Sequence, residues 1–332
     1  MSAKAKVVVT GATGHLGNVL VRELVARGVS VRAMILPGES RRPLDGLEVE
    51  IMEGDVRDQE RLRVVFEGAG LVYHLAGLIS ILQEKKQLLH EINVLGTGNV
   101  IAACEACGVE RMVYVSSVHA LEEPPHGIPI TETSGSNPER VIGAYAQSKA
   151  RATRKVIDAI ERGFNAVIVY PSGIIGPWDY NISEMGRLIL DFLQRRLPAY
   201  VDGAYDFVDV RDVVNGIIAA GNNGGSGEGY LLSGELLTLS RLMTTLHELS
   251  HIPAPSVKVP YRLALAAACV APLLARATGK PPRFTPYSLR VLRSNALMDC
   301  SKARRELAYT TRPLNESLAD TIAWCCKSPY IS

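Results

Sequence analysis

The sequence predicts an α/β fold: a doubly wound parallel sheet followed by a smaller C-terminal α/β cap. Three observations favour this prediction. Short apolar, β-branched segments alternate with helical segments through the first half of the chain. A strand, a glycine-rich loop and a helix open that alternation. After residue 177 the alternation weakens, which indicates a second, smaller unit.

The elements of the first half follow one another regularly. Strands buried on both faces of a parallel sheet are almost continuously apolar, and such segments lie at residues 7–10, 29–35, 49–55, 71–77 and 111–117. Apolar residues recur with helical spacing between them, at 18–27, 61–69 and 91–107. A helix beginning at Tyr145 precedes a sixth strand within 166–177. This order predicts right-handed crossovers in one parallel sheet.

Composition excludes several classes of protein. The chain has 332 residues, 47% of them hydrophobic, and a formal net charge of +2 without long runs of one sign, so no nucleic-acid partner is expected. The start lacks the apolar stretch of a secretion signal. The longest apolar segment, 263–275, is too short for a transmembrane helix and contains Pro272. It predicts a buried or partner-facing helix, with a membrane-surface contact as the alternative.

The cysteines predict neither disulfides nor a metal site. Six of them are scattered through the chain, and the only CxxC, Cys104 with Cys107, lies inside a helical pattern without a second ligand pair. Small buried residues on one helical face account for that pair. A reducing, cytoplasmic setting is therefore expected.

The glycine-rich loop indicates a dinucleotide site. Residues 7–24 read VVVTGATGHLGNVLVREL, with Gly11, Gly14 and Gly17 between strand and helix. The first glycine permits a tight turn, the second lets the backbone approach a pyrophosphate, and the third lets the helix pack closely on the sheet. The free N–H groups of the helix N-terminus favour phosphate. The spacing GxxGxxG differs from the GxGxxG of the standard Rossmann fingerprint.

A tyrosine and a lysine four residues apart suggest proton transfer. In the stretch YAQSKARATRKVIDAI, Tyr145 and Lys149 share one face of a helix. A nearby ammonium favours the phenolate and lowers the phenol pKa, so the phenol can exchange a proton with a carbonyl or carbinol oxygen. Ser116 and Ser117 end the fifth strand, at the edge where such sheets bind ligands. A hydroxyl there would hold the reacting oxygen.

Eight motifs in order resemble the extended short-chain dehydrogenase/reductases. This group contains NAD(P)-dependent sugar epimerases, dihydroflavonol-reductase-like enzymes and 3β-hydroxysteroid dehydrogenases. The motifs, which span about residues 5–220, are TGATGHLG, GDV, HLAG, NVLGTGNV, YVSS, YAQSK, YPSGIIGP and FVDVRDV. The resemblance implies a Rossmann-type domain at 1–176 and 205–226, and a substrate-binding cap at 177–204 and 227–332.

The resemblance also implies roles for individual residues. Tyr145 would be the acid/base, Lys149 would bind the nicotinamide ribose and lower the tyrosine pKa, and Ser117 would position the reacting oxygen, with Ser116 as the weaker candidate. His74 is expected to be a packing residue, and Asp209 and Asp212 structural. No metal is implied. The residues implied to line the cofactor are Gly11, Thr13, Gly14, His15, Leu16, Gly17, Asp55, Val56, Leu75, Ala76, Gly77, Asn93, Val115, Tyr145, Lys149, Pro171, Ser172, Gly173 and Ile174.

The end of the second strand favours NADP(H) over NAD(H), which stays possible. NAD-preferring relatives place an acid there to bind the ribose hydroxyls, whereas this chain has Ile35 and Leu36. Arg41 and Arg42 follow in the loop and could bind a 2′-phosphate. Solvated loop arginines are the alternative interpretation.

Three functions compete at this stage. The first is a ketone or aldehyde reductase, or alcohol dehydrogenase, for a bulky apolar or aromatic substrate, which the apolar segment 263–275 favours. The second is a nucleotide-sugar epimerase, for which cap arginines could grip a diphosphate: Arg195, Arg196, Arg283, Arg290 and Arg293. The third is a non-catalytic cofactor sensor, disfavoured because Ser117, Tyr145 and Lys149 are all present. A dehydratase is disfavoured because Val118-His119 replaces the expected Asp-Glu pair.

A homodimer is expected by resemblance. Relatives pair through the long helices, including the one that starts at Tyr145. Ala152, Val156 and Ile160 fit such a seam, and they fit packing onto their own sheet equally well.

Overall fold

A parallel sheet forms the centre of the molecule, as predicted, and it has seven strands where six were expected. The computed structural model describes residues 6–80, 85–278 and 285–327, without the side chains of 270–278. The sheet order is β10-β6-β5-β4-β1-β2-β3. Its strands are β1 (Lys6–Thr10), β2 (Val31–Ile35), β3 (Glu50–Glu53), β4 (Ala69–His74), β5 (Arg111–Val115), β6 (Ala166–Pro171) and β10 (Gly229–Leu232).

Two smaller sheets belong to the later half of the chain. A three-stranded sheet has the order β11-β9-β7, and a parallel pair joins β12 to β8. These strands are β7 (Gly173–Ile175), β8 (Ala199–Val201), β9 (Ala204–Asp209), β11 (Glu235–Thr238) and β12 (Val257–Val259). β7 follows β6 after a single residue, so the chain passes directly from the main sheet into the cap.

Helices cover both faces of the main sheet and build the rest of the cap. A π-helical turn, His90–Leu95, leads into the fourth helix, where one continuous helix over 91–107 was predicted. The helices are α1 (His15–Ala26), α2 (Gln59–Phe66), α3 (Lys86–Leu89), α4 (Gly96–Ala106), α5 (Ala144–Glu161), α6 (Glu184–Leu193), α7 (Val210–Asn223), α8 (Leu239–Ser250), α9 (Tyr261–Thr278), α10 (Pro286–Val291), α11 (Ser301–Leu307) and α12 (Leu314–Lys327).

The seventh strand shifts the expected division of the chain. β10 pairs with β6 in the main sheet, although its residues lie in the segment 227–332 that was assigned to the cap. The sequence did not predict this strand because GYLL is short and follows a glycine-rich loop. Pairing with β6, and not a sequence pattern of its own, makes it a strand. We propose a domain boundary after β10.

The two largest hydrophobic clusters lie at the main sheet and in the cap, and Cys300, Ala303, Leu307 and Tyr309 of the later chain pack into the first of them. One surrounds the main sheet, and a second fills the cap around buried residues such as Ile189, Phe207, Leu242 and Leu318. Ion pairs fasten the C-terminal segment to the start of α7. Arg312 binds the carboxylate of Asp212 at 2.8 Å, which fits the structural role expected of this aspartate.

The three residues expected at a dimer seam pack inside the chain's own core instead. Ala152 and Val156 are fully buried and Ile160 packs against the main core, because α5 lies on its own sheet. The outer face of α5 carries charged residues instead, Arg151, Arg154 and Asp158 among them. The apolar segment 263–275 forms part of α9, and its Leu263 is 63% exposed rather than buried. Its side chains from 270 onward, and Arg283, lie outside the described residues.

Candidate active site

The strand order reverses between β1 and β4, which opens a crevice at the carboxyl ends of these strands. The predicted glycine loop lies there. Gly11 has φ of 70°, and a Cβ on it would come within 2.8 Å of the Ala76 backbone nitrogen. A Cβ on Gly17 would overlap the Gly11 carbonyl. Both positions therefore require glycine, one for its conformation and both for close backbone packing.

The first turn of α1 is arranged to receive an anion. Its N-cap residue is Gly14, no side chain caps the turn, and the turn contains no acidic residue. Uncapped N–H groups and the helix dipole fit a pyrophosphate. A segment after β7 lies over this turn: His15 bonds the Pro177 carbonyl at 2.9 Å, and Asn18 donates to the Trp178 carbonyl at 3.1 Å. Thr13 is buried and Leu16 partly buried.

The loop after β4 is held by polar side chains on both sides. Thr10 accepts a hydrogen bond from the Ala76 N–H, and Leu75 and Ala76 are partly exposed along the crevice. Gly77 lies against the amide of Asn93. That amide accepts from the Leu78 N–H and donates to the Leu78 carbonyl and the Ser148 hydroxyl. The structure thus gives Asn93 a positioning contact between this loop and α5.

The adenine side of the predicted site contains both arginines. Asp55 is held by Arg57 at 2.6 Å, and Val56 is buried against Gly96. Arg41 pairs with Glu53 at 3.1 Å, whereas the Arg42 side chain is exposed.

An acid does stand at the end of β2, contrary to the sequence argument. The Glu39 carboxylate returns to accept a hydrogen bond from the Leu36 N–H at 3.2 Å. The sequence separates Glu39 from the strand by three residues, and only the turn brings it back.

The predicted nicotinamide contacts, Pro171 to Ile174, span the junction of β6 and β7. Ser172 donates to the Asp206 carboxylate at 2.5 Å, and the Gly234 N–H donates to the same oxygen. Gly173 packs against the ring of Tyr205, where a side chain would collide. Ser172 is therefore committed to a buried carboxylate of the cap, while Ile174 stays partly exposed.

The three predicted catalytic residues meet at the end of β5. Tyr145 is the second residue of α5 and is partly exposed, while Ser117 and Lys149 are buried. The Ser117 side chain acts on the Tyr145 phenol and lowers its pKa, while its hydroxyl accepts a hydrogen bond from the His119 N–H at 3.3 Å. The Lys149 ammonium donates to the Val115 carbonyl at 2.7 Å and lies 4.8 Å from the centre of the Tyr114 ring. Ser116 instead bonds Thr153 at 2.7 Å, so it points away from Tyr145.

The pKa values differ from the simple expectation for a tyrosine beside an ammonium. Burial raises the pKa of Tyr145 to about 12, and the Ser117 side chain opposes that rise. Burial also lowers the pKa of Lys149 to about 7. Desolvation governs both groups, and the ammonium is bonded to the Val115 carbonyl instead of to the phenol. The phenol is therefore protonated at neutral pH and able to donate.

Three aromatic residues that the sequence did not suggest surround the phenol. We call the set His119, Tyr145, Tyr205 and Tyr287 the ring pocket; all four are partly exposed. The His119 ring lies edge-on to Tyr145 at 6.2 Å and stacks on Tyr205 at 5.8 Å. The Tyr205 hydroxyl bonds His119 Nε2 at 2.7 Å. Tyr287 comes from α10 in the cap. No motif marks these residues, because they arrive from three distant segments.

His74 is buried, as expected for a packing residue. Its ring bonds Thr10 at 2.9 Å and Thr97 at 3.1 Å, and burial lowers its pKa to about 3. It thus stays neutral and connects β1 to α4 beneath the crevice.

Comparison with known proteins decides the family. The family model described as NAD dependent epimerase/dehydratase family matches residues 7–233. The chain belongs to this family. The predicted NAD(P)-dependent oxidoreductase of the extended short-chain type is confirmed with it.

Two relatives and one solved structure are similar over nearly the whole chain. Sterol demethylase protein B of Methylococcus capsulatus is 40% identical, over 96% of this chain and 97% of its own. The 4-hydroxy-2-methyl-3-oxo-4-farnesyl-3,4-dihydroquinoline-1-oxide ketoreductase of Stigmatella aurantiaca is 31% identical, over 95% and 94%. The crystal structure of gox2253 superposes with a TM-score of 0.88 at 33% identity, over 99% of this chain and 100% of that one.

The described part of this epimerase/dehydratase-family chain holds no cluster of potential metal ligands. Cys104 is buried, and the Cys107 thiol contacts the Arg63 carbonyl. Within the same residues, no helix has the length and apolar character needed to span a bilayer.

The buried Lys149 predicts a pH-dependent stability. Its folded pKa of about 7 lies below the ordinary 10.5, so between these values the unfolded chain binds more protons and stability falls as the pH falls. We expect the wild type to lose about 1–2 kcal/mol relative to Lys149→Met between about pH 9 and about pH 7, measured by urea unfolding. Lys155→Met, on a more exposed part of α5, is the control. If the stability difference between the wild type and Lys149→Met does not change with pH, the interpretation of Lys149 as a buried amine is refuted.

Proposed function

We propose that this protein interconverts a carbonyl and an alcohol on a bulky, mainly apolar or aromatic substrate. The observation that carries the proposal is the ring pocket, which places three flat or aromatic side chains beside the candidate acid/base Tyr145. Aromatic walls with a few polar groups suit a ring-bearing ligand. The names of the two relatives support the same substrate class, since one concerns a sterol and the other a farnesylated ring ketone.

The cofactor would be a nicotinamide dinucleotide, which supplies or accepts a hydride when bound. The glycine loop and the uncapped first turn of α1 fit its pyrophosphate. Lys149 would bind the ribose, near the end of β5. The junction at Gly173 and Ile174 would contact the carboxamide.

Proton transfer would be the task of Tyr145. Its phenol is protonated at neutral pH, so it can give a proton to a carbonyl oxygen, which is the requirement of the reductive direction. Ser117, whose side chain acts on the same phenol, would hold that oxygen in place. Lys149 would assist by its charge, which its pKa of about 7 makes dependent on small changes of pH.

The alternative of a nucleotide-sugar epimerase is favoured by one observation in the cap. A cavity of about 490 Å³ beside α6 is lined by Arg187 and Arg196, among others. None of its lining residues belongs to the ring pocket. Arg293 lies over the Tyr261 ring, and Arg195 and Arg290 are exposed. Cofactor that survives purification, without net turnover of ketones, would favour the epimerase.

Replacing Tyr145 with Phe tests the proposed chemistry and the sensor alternative together. We expect the variant to oxidise NAD(P)H with a panel of bulky ketones about 10²–10⁴-fold more slowly, because the proton donor is lost. Tyr200→Phe, on β8 outside the ring pocket, is the matched control and should keep the wild-type rate. An unchanged rate in Tyr145→Phe would remove the phenol from the mechanism, and an inactive wild type would favour a sensor.

We propose that NADP(H) is preferred within this NAD-dependent family. The exposed Arg42 guanidinium supports the preference, because it is available to a 2′-phosphate. Arg41 is engaged by Glu53, and the Glu39 carboxylate at the end of β2 opposes a phosphate. The balance between Arg42 and Glu39 would then decide the choice.

Arg42→Ala should raise the KM for NADPH more than that for NADH, by about tenfold or more, since a charge-assisted contact to phosphate is worth about 1.5–3 kcal/mol. Arg41→Ala should have the smaller effect, and Glu39→Gln should shift the preference toward NADPH. Steady-state kinetics with both cofactors measures all three variants. Equal losses for NADPH and NADH in Arg42→Ala would contradict the assignment.

We propose a homodimer, by family resemblance, with the outer face of α5 as the contact. This face carries both signs of charge, including the pair Arg154 and Asp158 at 3.9 Å. Light scattering at low and high salt should therefore give a dimer that weakens as salt screens the interface. A monomer under both conditions would contradict it. A cytoplasmic location stays a prediction from the cysteines.

A further inference from the structure

Tyr287 is held at the ring pocket by a well-built part of the cap. It lies in α10, whose first turn is closed by reciprocal bonds between Thr285 and Ser288 at 3.1 and 2.9 Å. Leu289 of the same helix is fully buried. Just beyond α10, Asn295 donates to the carbonyls of Pro124 and Ile128, which fastens the cap to the loop that follows β5.

The Tyr287 ring lies directly on the backbone that starts α5. A Cβ on Gly143 would overlap this ring, and Gly143 has φ of 103°, so glycine is required there on both counts. Gly143 is the N-cap of α5, and Tyr145 follows two residues later. The cap thus brings a second phenol, that of Tyr287, next to the N-terminus of α5, where Tyr145 lies.

The hydroxyl of Tyr287 is buried and has no hydrogen-bond partner among the described residues. Its neighbour Tyr205 differs in this respect, because its hydroxyl is paired with His119 at 2.7 Å. An unpaired buried hydroxyl costs about 1–3 kcal/mol, so such groups are normally satisfied by protein, water or ligand. Tyr287 is therefore the member of the ring pocket with a free donor.

The charges around this hydroxyl restrict what it can bind. Burial lowers the pKa of His119 to about 4, so its ring is neutral. Glu123 lies at the exposed side, accepts from the Asn295 N–H at 3.4 Å and acts electrostatically on both Tyr205 and Tyr287. A carboxylate or phosphate of the substrate would be repelled by the nearby Glu123 carboxylate.

We propose that the Tyr287 hydroxyl donates a hydrogen bond to a second, uncharged oxygen of the substrate, close to the reacting carbonyl. This inference rests on the proposed function and deepens it. The substrate class becomes bulky ring ketones that carry a neighbouring hydroxyl, carbonyl or ether oxygen. Tyr287 is then a specificity-determining residue, while proton transfer stays with Tyr145.

Benzoin and deoxybenzoin form a matched pair of probes, because both are bulky aromatic ketones and only benzoin has a hydroxyl on the adjacent carbon. We expect Tyr287→Phe to weaken the binding of benzoin about tenfold, which corresponds to the loss of one hydrogen bond of about 1.4 kcal/mol. The affinity for deoxybenzoin should change less than about twofold. Tyr205→Phe is the matched control and should change both ketones by the same factor, since its hydroxyl is already paired.

Two readouts separate this inference from the proposed function. NADPH oxidation gives KM and kcat, and a ligand-detected NMR titration gives the Kd without any turnover. If the NMR titration shows that Tyr287→Phe no longer distinguishes benzoin from deoxybenzoin, the inference is supported. This holds even if no ketone is reduced and the proposed function fails. Equal affinity of the wild type for the two ketones, binding of neither, or equal weakening of both by Tyr287→Phe overturns it.

The stability of Tyr287→Phe distinguishes recognition from a structural role. Removing an unsatisfied hydroxyl should leave the urea midpoint unchanged or raised. A lowered midpoint, together with equal losses for both ketones, would make Tyr287 a packing residue and overturn the inference.

Discussion

The bond from the Lys149 ammonium to the Val115 carbonyl is the contact on which the candidate site depends. It joins α5 to the carboxyl end of β5, and thereby places Tyr145 beside Ser117. The same contact takes the ammonium out of water, which lowers its pKa to about 7. One interaction thus sets both the position of α5 and the protonation of Lys149. Placing the Lys149 ammonium against the Val115 carbonyl removes it from water, and the desolvated ammonium loses its proton more easily.

The cap completes what the main sheet begins. β7 continues from β6 with one intervening residue, so the chain that ends the sheet also starts the cap. Ser172, at that junction, donates to the buried Asp206 of β9, whose neighbour Tyr205 enters the ring pocket. The position of an aromatic wall is therefore coupled to the edge of the sheet through a short polar contact.

The residues proposed to select the cofactor and those proposed to recognise the substrate lie in different parts of the molecule. The loop after β2 sets Arg42 and Glu39 against each other at one end of the crevice. The ring pocket is built from the loop after β5, from α5, from β9 and from α10. Neither group touches the other, so substitutions that alter the choice of cofactor are expected to leave substrate recognition nearly unchanged.

The sequence by itself determined six strands of the main sheet, the glycine turn and the Tyr145–Lys149 pair, because these features are local. Strand and helix periods are written along the chain, Gly11 and Gly17 answer constraints within one strand–loop–helix unit, and residues four apart share a helical face. The tertiary structure alone decided the pKa of Tyr145, the return of Glu39 to the end of β2, the place of β10 in the main sheet and the meeting of His119, Tyr205 and Tyr287. Each of these depends on burial or on contacts between distant segments. Burial and long-range contacts leave no periodic pattern or fixed spacing in a single sequence.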